Sequence, residues 1–533
     1  MTSQNQPDYD VAVIGAGMGG IYASHQLRQK GFTAHGIEAA SDVGGVWFHN
    51  RYPGARVDIE PYYYCLFDPE VYREWVWTER YPAQPEILAY LNWVADKFGT
   101  RDHYEFNTWM TGAIWDPALD LYVISTDKGS SFTARFLVMA TGQLSKSRKP
   151  QFAGLDDFAG EWFQTAHWPD HDVGLAGKRV AVIGTGSTGI QTATALAGVA
   201  SELLVFQRTA NFSVPAHNAA LDREAYDAYA LDPAGLLSQL LAGASGTIMP
   251  TYEGLAASFT PQEQQRLLED RWAFGGHSMN MIFNDQGSNM EANTVVAEFV
   301  RDKIRGIVTD PETAAKLLPY DHPVGTRRLV VDTGYYEIFN RDNVTIVDSS
   351  ADPIERITEQ GIQTGGAHYD VDVIIFALGF QAYTGALENA NVSNEKGDRP
   401  TEKWSRGPQT YLGLMTHEFP NMFVIAGPGS PSTLSNVSVA NTQHIHFVTD
   451  LLCHMAERGL TRVEPSESAQ DAWVAHIADL AKNMLRLQVD NYMVHVNADD
   501  NSRVFMPYPG GVAAYVEKCE AIVADGYAGF EFS

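Results

Sequence analysis

A chain that carries G-x-G-x-x-G twice, each time between a β-branched run and a helical stretch, is nearly committed to a nucleotide-binding α/β fold. The first copy is Asp10-Val-Ala-Val-Ile-Gly-Ala-Gly-Met-Gly-Gly20, and the second is Lys178-Arg-Val-Ala-Val-Ile-Gly-Thr-Gly-Ser-Thr-Gly189. The first glycine permits a tight turn, the second lets a pyrophosphate approach the backbone, and the third lets the helix lie close to the strand. This makes Gly15, Gly17, Met18 and Gly20 one candidate cofactor set. Gly184, Thr185, Gly186, Ser187, Thr188, Gly189 and Ile190 form the other. The next apolar run after the first copy, His35-Gly-Ile, ends on Glu38. The run after the second, Leu203-Leu-Val-Phe-Gln, ends on Arg208-Thr209. A carboxylate there accepts from ribose hydroxyls and repels a 2′-phosphate, whereas an arginine attracts that phosphate. The first site is therefore expected to hold FAD and the second NADPH. Such a chain moves electrons from NADPH to a flavin.

At 533 residues the chain is too long for one hydrophobic core. Its repeats suggest how it divides. Each fingerprint is followed much later by a short apolar strand ending in a small-residue turn, Phe136-Leu-Val-Met-Ala-Thr-Gly142 and Val373-Ile-Ile-Phe-Ala-Leu-Gly379. A Gly-turned hairpin pattern precedes each of them. The expected fold class is α/β, with two nested Rossmann-like dinucleotide-binding domains and a helical insertion. Residues 1–145 and 383–533 would form the FAD domain, and 146–215 with 325–382 the NADPH domain. Residues 216–324 would be the insertion within the latter. There, Thr260-Pro-Gln-Glu263 is a capping box with proline at the first helical position, and 292–305 reads as an amphipathic helix.

The net charge of −28 disfavours nucleic acid and anionic membranes as partners. The uncharged stretches near 181–200 and 233–252 are poor membrane spans. Three isolated cysteines, with no C-x-x-C, point to a reducing cytoplasm and to no metal site. His444-Ile-His446 reads as a pair of ordinary surface histidines. No basic stretch followed by an apolar run opens the chain, so no secretory leader is expected.

Other segments carry the chemistry. Gly44-Gly-Val-Trp-Phe-His-Asn-Arg-Tyr-Pro-Gly-Ala-Arg-Val-Asp58 allows close backbone approach to a bulky ligand and supplies Gly45, Val46, Trp47, Arg56 and Asp58, with Tyr64 just beyond. Phe158-Ala-Gly-Glu-Trp-Phe-Gln-Thr-Ala-His-Trp-Pro169 reads as a linker on which two domains pivot. These stretches and the two fingerprints resemble the type I Baeyer–Villiger monooxygenases. The likeness runs from about residue 8 to the C-terminus. Gly325-Thr-Arg-Arg-Leu, Gly427-Pro-Gly-Ser-Pro-Ser-Thr-Leu-Ser-Asn436 and Arg503-Val-Phe-Met-Pro-Tyr-Pro-Gly-Gly511 are most similar to the phenylacetone and steroid monooxygenase branch.

The resemblance implies an enzyme in which NADPH reduces FAD, dioxygen adds at flavin C4a, and the resulting peroxide attacks a ketone carbonyl to give an ester or lactone. It implies that Arg328 is the catalytic arginine and Asp58 its acidic neighbour. It likewise implies that Arg208, Thr209 and Arg327 hold the 2′-phosphate. The partners would be a small ketone and O₂, with the protein a monomer or weak oligomer. Two departures stand out. Gln164 occupies the place of a histidine in the linker motif F-x-G-x-x-x-H-T-x-x-W-P, with His167 three residues on. Tyr492, in Tyr492-Met-Val-His-Val-Asn497, stands where the family has a tryptophan near the nicotinamide cofactor. Two other readings remain: a flavin-dependent N- or S-oxygenase, and a nucleotide-sensing binding protein without turnover.

Overall fold

In the computed structural model, residues 6–250 and 253–533 are described. Residues 1–5, which bear on the expectation about a leader, lie outside them, as do the last two residues of the uncharged stretch 233–252. Two sheets organise the chain, one around each fingerprint.

In the first sheet, Tyr9–Ile14 lies between Ala34–Ile37 and Ser131–Met139 and runs parallel to both. Val11, Ala12 and Val13 are fully buried, as expected of a strand covered on both faces. Met110–Asp116, Leu121–Thr126 and Ser131–Met139 form an antiparallel meander. Two late segments return to this sheet: Val392–Ser393 pairs with Met110–Asp116, and Met422–Val424 pairs with Ser131–Met139. The long helix Val437–Arg458 packs on the fingerprint helix Met18–Gln29.

The second sheet has five parallel strands in the order Val344–Asp348, Glu202–Gln207, Arg179–Ile183, Val373–Phe376, Glu161–Gln164. Its last member corrects one expectation. The stretch read as a pivoting linker is an edge strand for four of its residues, registered Gln164 against Phe376.

The 216–324 segment is helical, with helices Arg223–Leu231, Pro233–Leu241, Pro261–Phe274, Met290–Ile307 and Pro311–Leu317. The capping box at Thr260 and Glu263 is formed. These helices divide between two cores. Tyr226, Leu236 and Leu240 join the core around the first fingerprint, while Leu268, Val296 and Val300 join that around the second. Among the described residues, no helix is long and apolar enough to cross a membrane.

Candidate active site and nucleotide sites

The two fingerprints fold alike for the same reason. Gly15 and Gly184 turn at φ +104° and +114°, where a side chain is strained. A Cβ on Gly20 or Gly189 would fall 1.8 or 1.9 Å from the carbonyl oxygen of that turning glycine. Each helix therefore rests directly on its turn, with its N-terminal amides free to meet an anion. Gly186 faces open space, and Gly17 faces only Gly45, whose own Cβ would fall 2.9 Å from Gly17 Cα. Both turns are cradles of the kind a dinucleotide needs. Met18 opens the first helix and accepts from Ser438 Oγ at 3.1 Å. Ser187 and Thr188 open the second helix. Ile190 differs, because its side chain is buried in the second core and cannot face a ligand.

Glu38 ends its strand beside the first turn. Its Oε2 accepts from Ala16 N–H at 2.6 Å and its Oε1 from Ala40 N–H at 2.7 Å. Burial raises this carboxyl, and the backbone N–H groups pull against the rise. Trp47 donates its indole N–H to the Tyr64 hydroxyl at 3.0 Å, and Val46 precedes it on the same helical turn. Arg56 points elsewhere. It donates to Glu79 at 3.0 Å and to Tyr81 O at 2.8 Å, so it joins no cluster with Arg328.

At the second site, Thr185 Oγ1 donates to Thr209 O at 2.9 Å, tying the turn to the next strand's end. Arg208 is exposed there. Arg327 is lowered from the ordinary guanidinium range by burial and then by Arg208, and its Nε has no partner among the described residues. Two neighbouring guanidinium groups are the donor type a phosphate dianion requires. His322, which sequence reasoning missed, lies close to Arg327. It is buried, both ring nitrogens lack partners among the described residues, and burial, Arg327 and Arg301 pull it down to about 4. A lone histidine in a loop carries no sequence signal for such a place.

Arg328 and Asp58, 270 residues apart, meet in a bidentate pair. Arg328 Nε donates to Asp58 Oδ2 at 2.8 Å and Nη2 to Oδ1 at 2.9 Å. Nη1 donates to Thr433 O at 3.2 Å, in the Gly427–Asn436 loop, where Gly429 and Ser432 hold positive φ. Burial acts against the Arg328 charge, but Asp58 and then Tyr492 outweigh it and hold the guanidinium protonated. Burial likewise would raise the Asp58 carboxyl, yet Arg328 and after it His277 hold it well below the usual carboxylate range. Tyr492 is therefore near Arg328. The pair opens on a cavity of about 410 Å³ lined by Met249, Met281, Met484, Met493 and Tyr63, with His277 at its wall. His277 was also missed. One histidine after two glycines shows no spacing that marks a site.

The linker departure is structural as well. Gln164 Nε2 donates to Arg148 O at 2.7 Å, while His167 shares a hydrogen bond with Ser147 Oγ at 2.9 Å and stands edge-on to His49. The reading of His444 as a surface histidine is wrong. His444 is fully buried in a helix covered on nearly every side, and its Nδ1 accepts from Ala426 N–H at 3.0 Å.

Two dinucleotide folds that meet at one half-buried arginine define a pyridine-nucleotide-linked flavoprotein oxidoreductase. Residues 9–230 match the family described as pyridine nucleotide-disulphide oxidoreductase. A Baeyer-Villiger monooxygenase of Pseudooceanicola batsensis is 38% identical over 525 residues, covering 98% of this chain and 95% of its own. The structure of an oxidized steroid monooxygenase bound to NADP superposes with a TM-score of 0.95 at 41% identity, covering 99% of each chain. That of OTEMO in complex with FAD and NADP does so with a TM-score of 0.95 at 37% identity, covering 99% of this chain and 100% of that one. This chain belongs to the Baeyer–Villiger monooxygenase family.

Proposed function

We propose that the protein is an FAD- and NADPH-dependent monooxygenase whose substrate is a small, largely apolar ketone. The bidentate Arg328–Asp58 pair facing a methionine-lined cavity carries this reading. Bound FAD, reduced by NADPH and open to dioxygen, supplies an oxygen nucleophile that inserts one atom beside the carbonyl, giving an ester or lactone. Gly15, Gly17, Gly20, Glu38 and the Gly45–Trp47 turn would hold the flavin nucleotide. Gly184–Gly189, Arg208, Thr209 and Arg327 would hold NADPH.

Arg328 is the catalytic residue in this reading. Attack on a ketone places negative charge on its oxygen, and a protonated, fixed guanidinium stabilises that charge without reorganising at the moment of reaction. Such a donor lowers a barrier by roughly 3–4 kcal/mol. Asp58 orients the guanidinium and keeps it protonated, while Thr433 O fixes its third edge. The four methionines give the cavity soft, adaptable walls, which favours a range of apolar shapes over one rigid fit.

The domain reading accompanies this: 1–145 and 383–533 for FAD, 146–215 and 325–382 for NADPH, with 216–324 lining the cavity. The acidic surface and unpaired cysteines favour a reducing cytoplasm, no nucleic-acid partner, and a monomer or weak oligomer. The test is a panel of linear, aryl and cyclic ketones with NADPH and air, alongside a thioether and a tertiary amine, read by product mass. Esters or lactones one oxygen heavier than the ketone are expected. Oxygenation of the thioether or amine with no ketone converted would refute the reading.

A further inference from the structure

Asp58 has a second neighbour that the arginine pairing does not need. His277 Nε2 lies 3.2 Å from Asp58 Oδ2, the same oxygen that receives Arg328 Nε. The geometry is off-line for a straight hydrogen bond, and among the described residues Nε2 has no other partner. The other ring nitrogen, Nδ1, lies 3.4 Å from Asn280 Nδ2, an amide that only donates. Nδ1 is then the acceptor, and the neutral ring carries its hydrogen on Nε2, facing Asp58.

The backbone presents His277 deliberately. Helix Pro261–Phe274 stops at Gly275 and Gly276, with φ +79° and +61°. A Cβ on Gly276 would fall on the Tyr81 hydroxyl, so the turn is pressed against the wall of the cavity. The fully buried Ser278 pins it by donating to Gly275 O at 2.8 Å and Arg271 O at 3.0 Å. The histidine ring is itself only 13% exposed.

We infer that His277 is a positioning residue for oxygenation: it holds the Asp58 carboxylate from a second direction and so fixes where the Arg328 guanidinium points. The inference rests on the role proposed for Arg328. Without His277, one Asp58 oxygen loses an imidazole N–H 3.2 Å away, outside the bidentate pair, and the carboxylate can rotate with the arginine attached. A small misplacement of the charge-stabilising edge costs turnover while leaving both dinucleotide sites intact.

The test uses the FAD-loaded enzyme and two variants. In His277→Ala, kcat for ester formation should fall roughly ten- to a hundredfold. The fraction of NADPH oxidation ending as hydrogen peroxide should rise. The KM for NADPH and the rate of flavin reduction should stay within about twofold of wild type, since both precede the oxyanion. His277→Gln places an Nε2 donor at similar reach and should recover most of the loss. A crystal structure of His277→Ala should have the Arg328–Asp58 pair turned away from Thr433 O. Unchanged kcat and peroxide fraction in His277→Ala would overturn the inference. So would a Gln variant no better than Ala, which would make the ring a space-filler. Wild-type enzyme converting no ketone would instead defeat the proposed function itself.

Discussion

Arg328 joins three things in one side chain: partial burial, a carboxylate clamp and an open edge toward a cavity. In the proposed reaction, the charge it would stabilise arises after hydride transfer. Arg328→Ala should therefore abolish ester formation while FAD still binds and NADPH still reduces it, as product analysis and stopped-flow absorbance on one preparation would record. Arg328→Lys should restore little, because a point charge lacks the planar fork that Asp58 and Thr433 O grip. Another residue governs acid stability. Burial pulls His444 from 6.5 down to about 3, so the folded ring stays neutral where the unfolded one takes up a proton. The unfolded chain binds more protons between those values, so stability falls as pH drops through that window, by up to about 1.4 kcal/mol per pH unit. His444→Asn keeps an acceptor for Ala426 N–H and removes the titration. The melting-temperature difference between pH 7 and pH 4.5 should shrink in that variant. Asp58 stood out in a stretch rich in glycine and aromatic residues, whereas Arg328, in Gly325-Thr-Arg-Arg-Leu, was singled out only through the family resemblance. His277, His322 and the burial of His444 were not legible, because a single imidazole gives no sign of what will pack around it.

At the level of elements, the two strand–turn–helix units were legible because everything they need is local: β-branched runs, a turning glycine and a third glycine under the helix. This also makes them separable by mutation. Gly189→Ala puts a Cβ 1.9 Å from Gly184 O and should displace the second helix from its turn. The purified variant should stay yellow and be reducible by dithionite, yet show a loss of NADPH binding by calorimetry. Loss of FAD in the same protein would mean that the two units do not act independently. The strand Glu161–Gln164 was misjudged for the opposite reason. Its partner, Val373–Phe376, is more than two hundred residues away, and four residues with two outward aromatic and polar side chains carry no clear period. The division of the 216–324 helices between two cores was hidden in the same way. An apolar helical face announces that it will be covered, not by which sheet.

Across the whole molecule, the two units are joined beyond the Arg328–Asp58 pair as well. Tyr52 donates to Gln191 Oε1 at 2.8 Å, and Gln191 Nε2 donates to Arg56 O at 3.1 Å. Between them Gly54, at φ +82°, leaves no room for a Cβ against Gln191 O. The loop that ends in Asp58 is thus clamped to the helix of the second fingerprint, and the nicotinamide and flavin sides of the enzyme share one rigid seam. The strand order has a consequence for how such a chain comes into being. The second sheet draws its five strands from 161–376, whereas the first waits for Val392–Ser393 and Met422–Val424. A polypeptide leaving the ribosome can complete its later-starting half before its earlier-starting half. Until residue 424 emerges, the Leu137–Met139 stretch keeps a bare hydrogen-bonding edge, a template for pairing with other nascent copies. A chain stopped at residue 380 should therefore aggregate on expression. Co-expression of the missing 381–533 piece should raise the recoverable fraction by closing that edge.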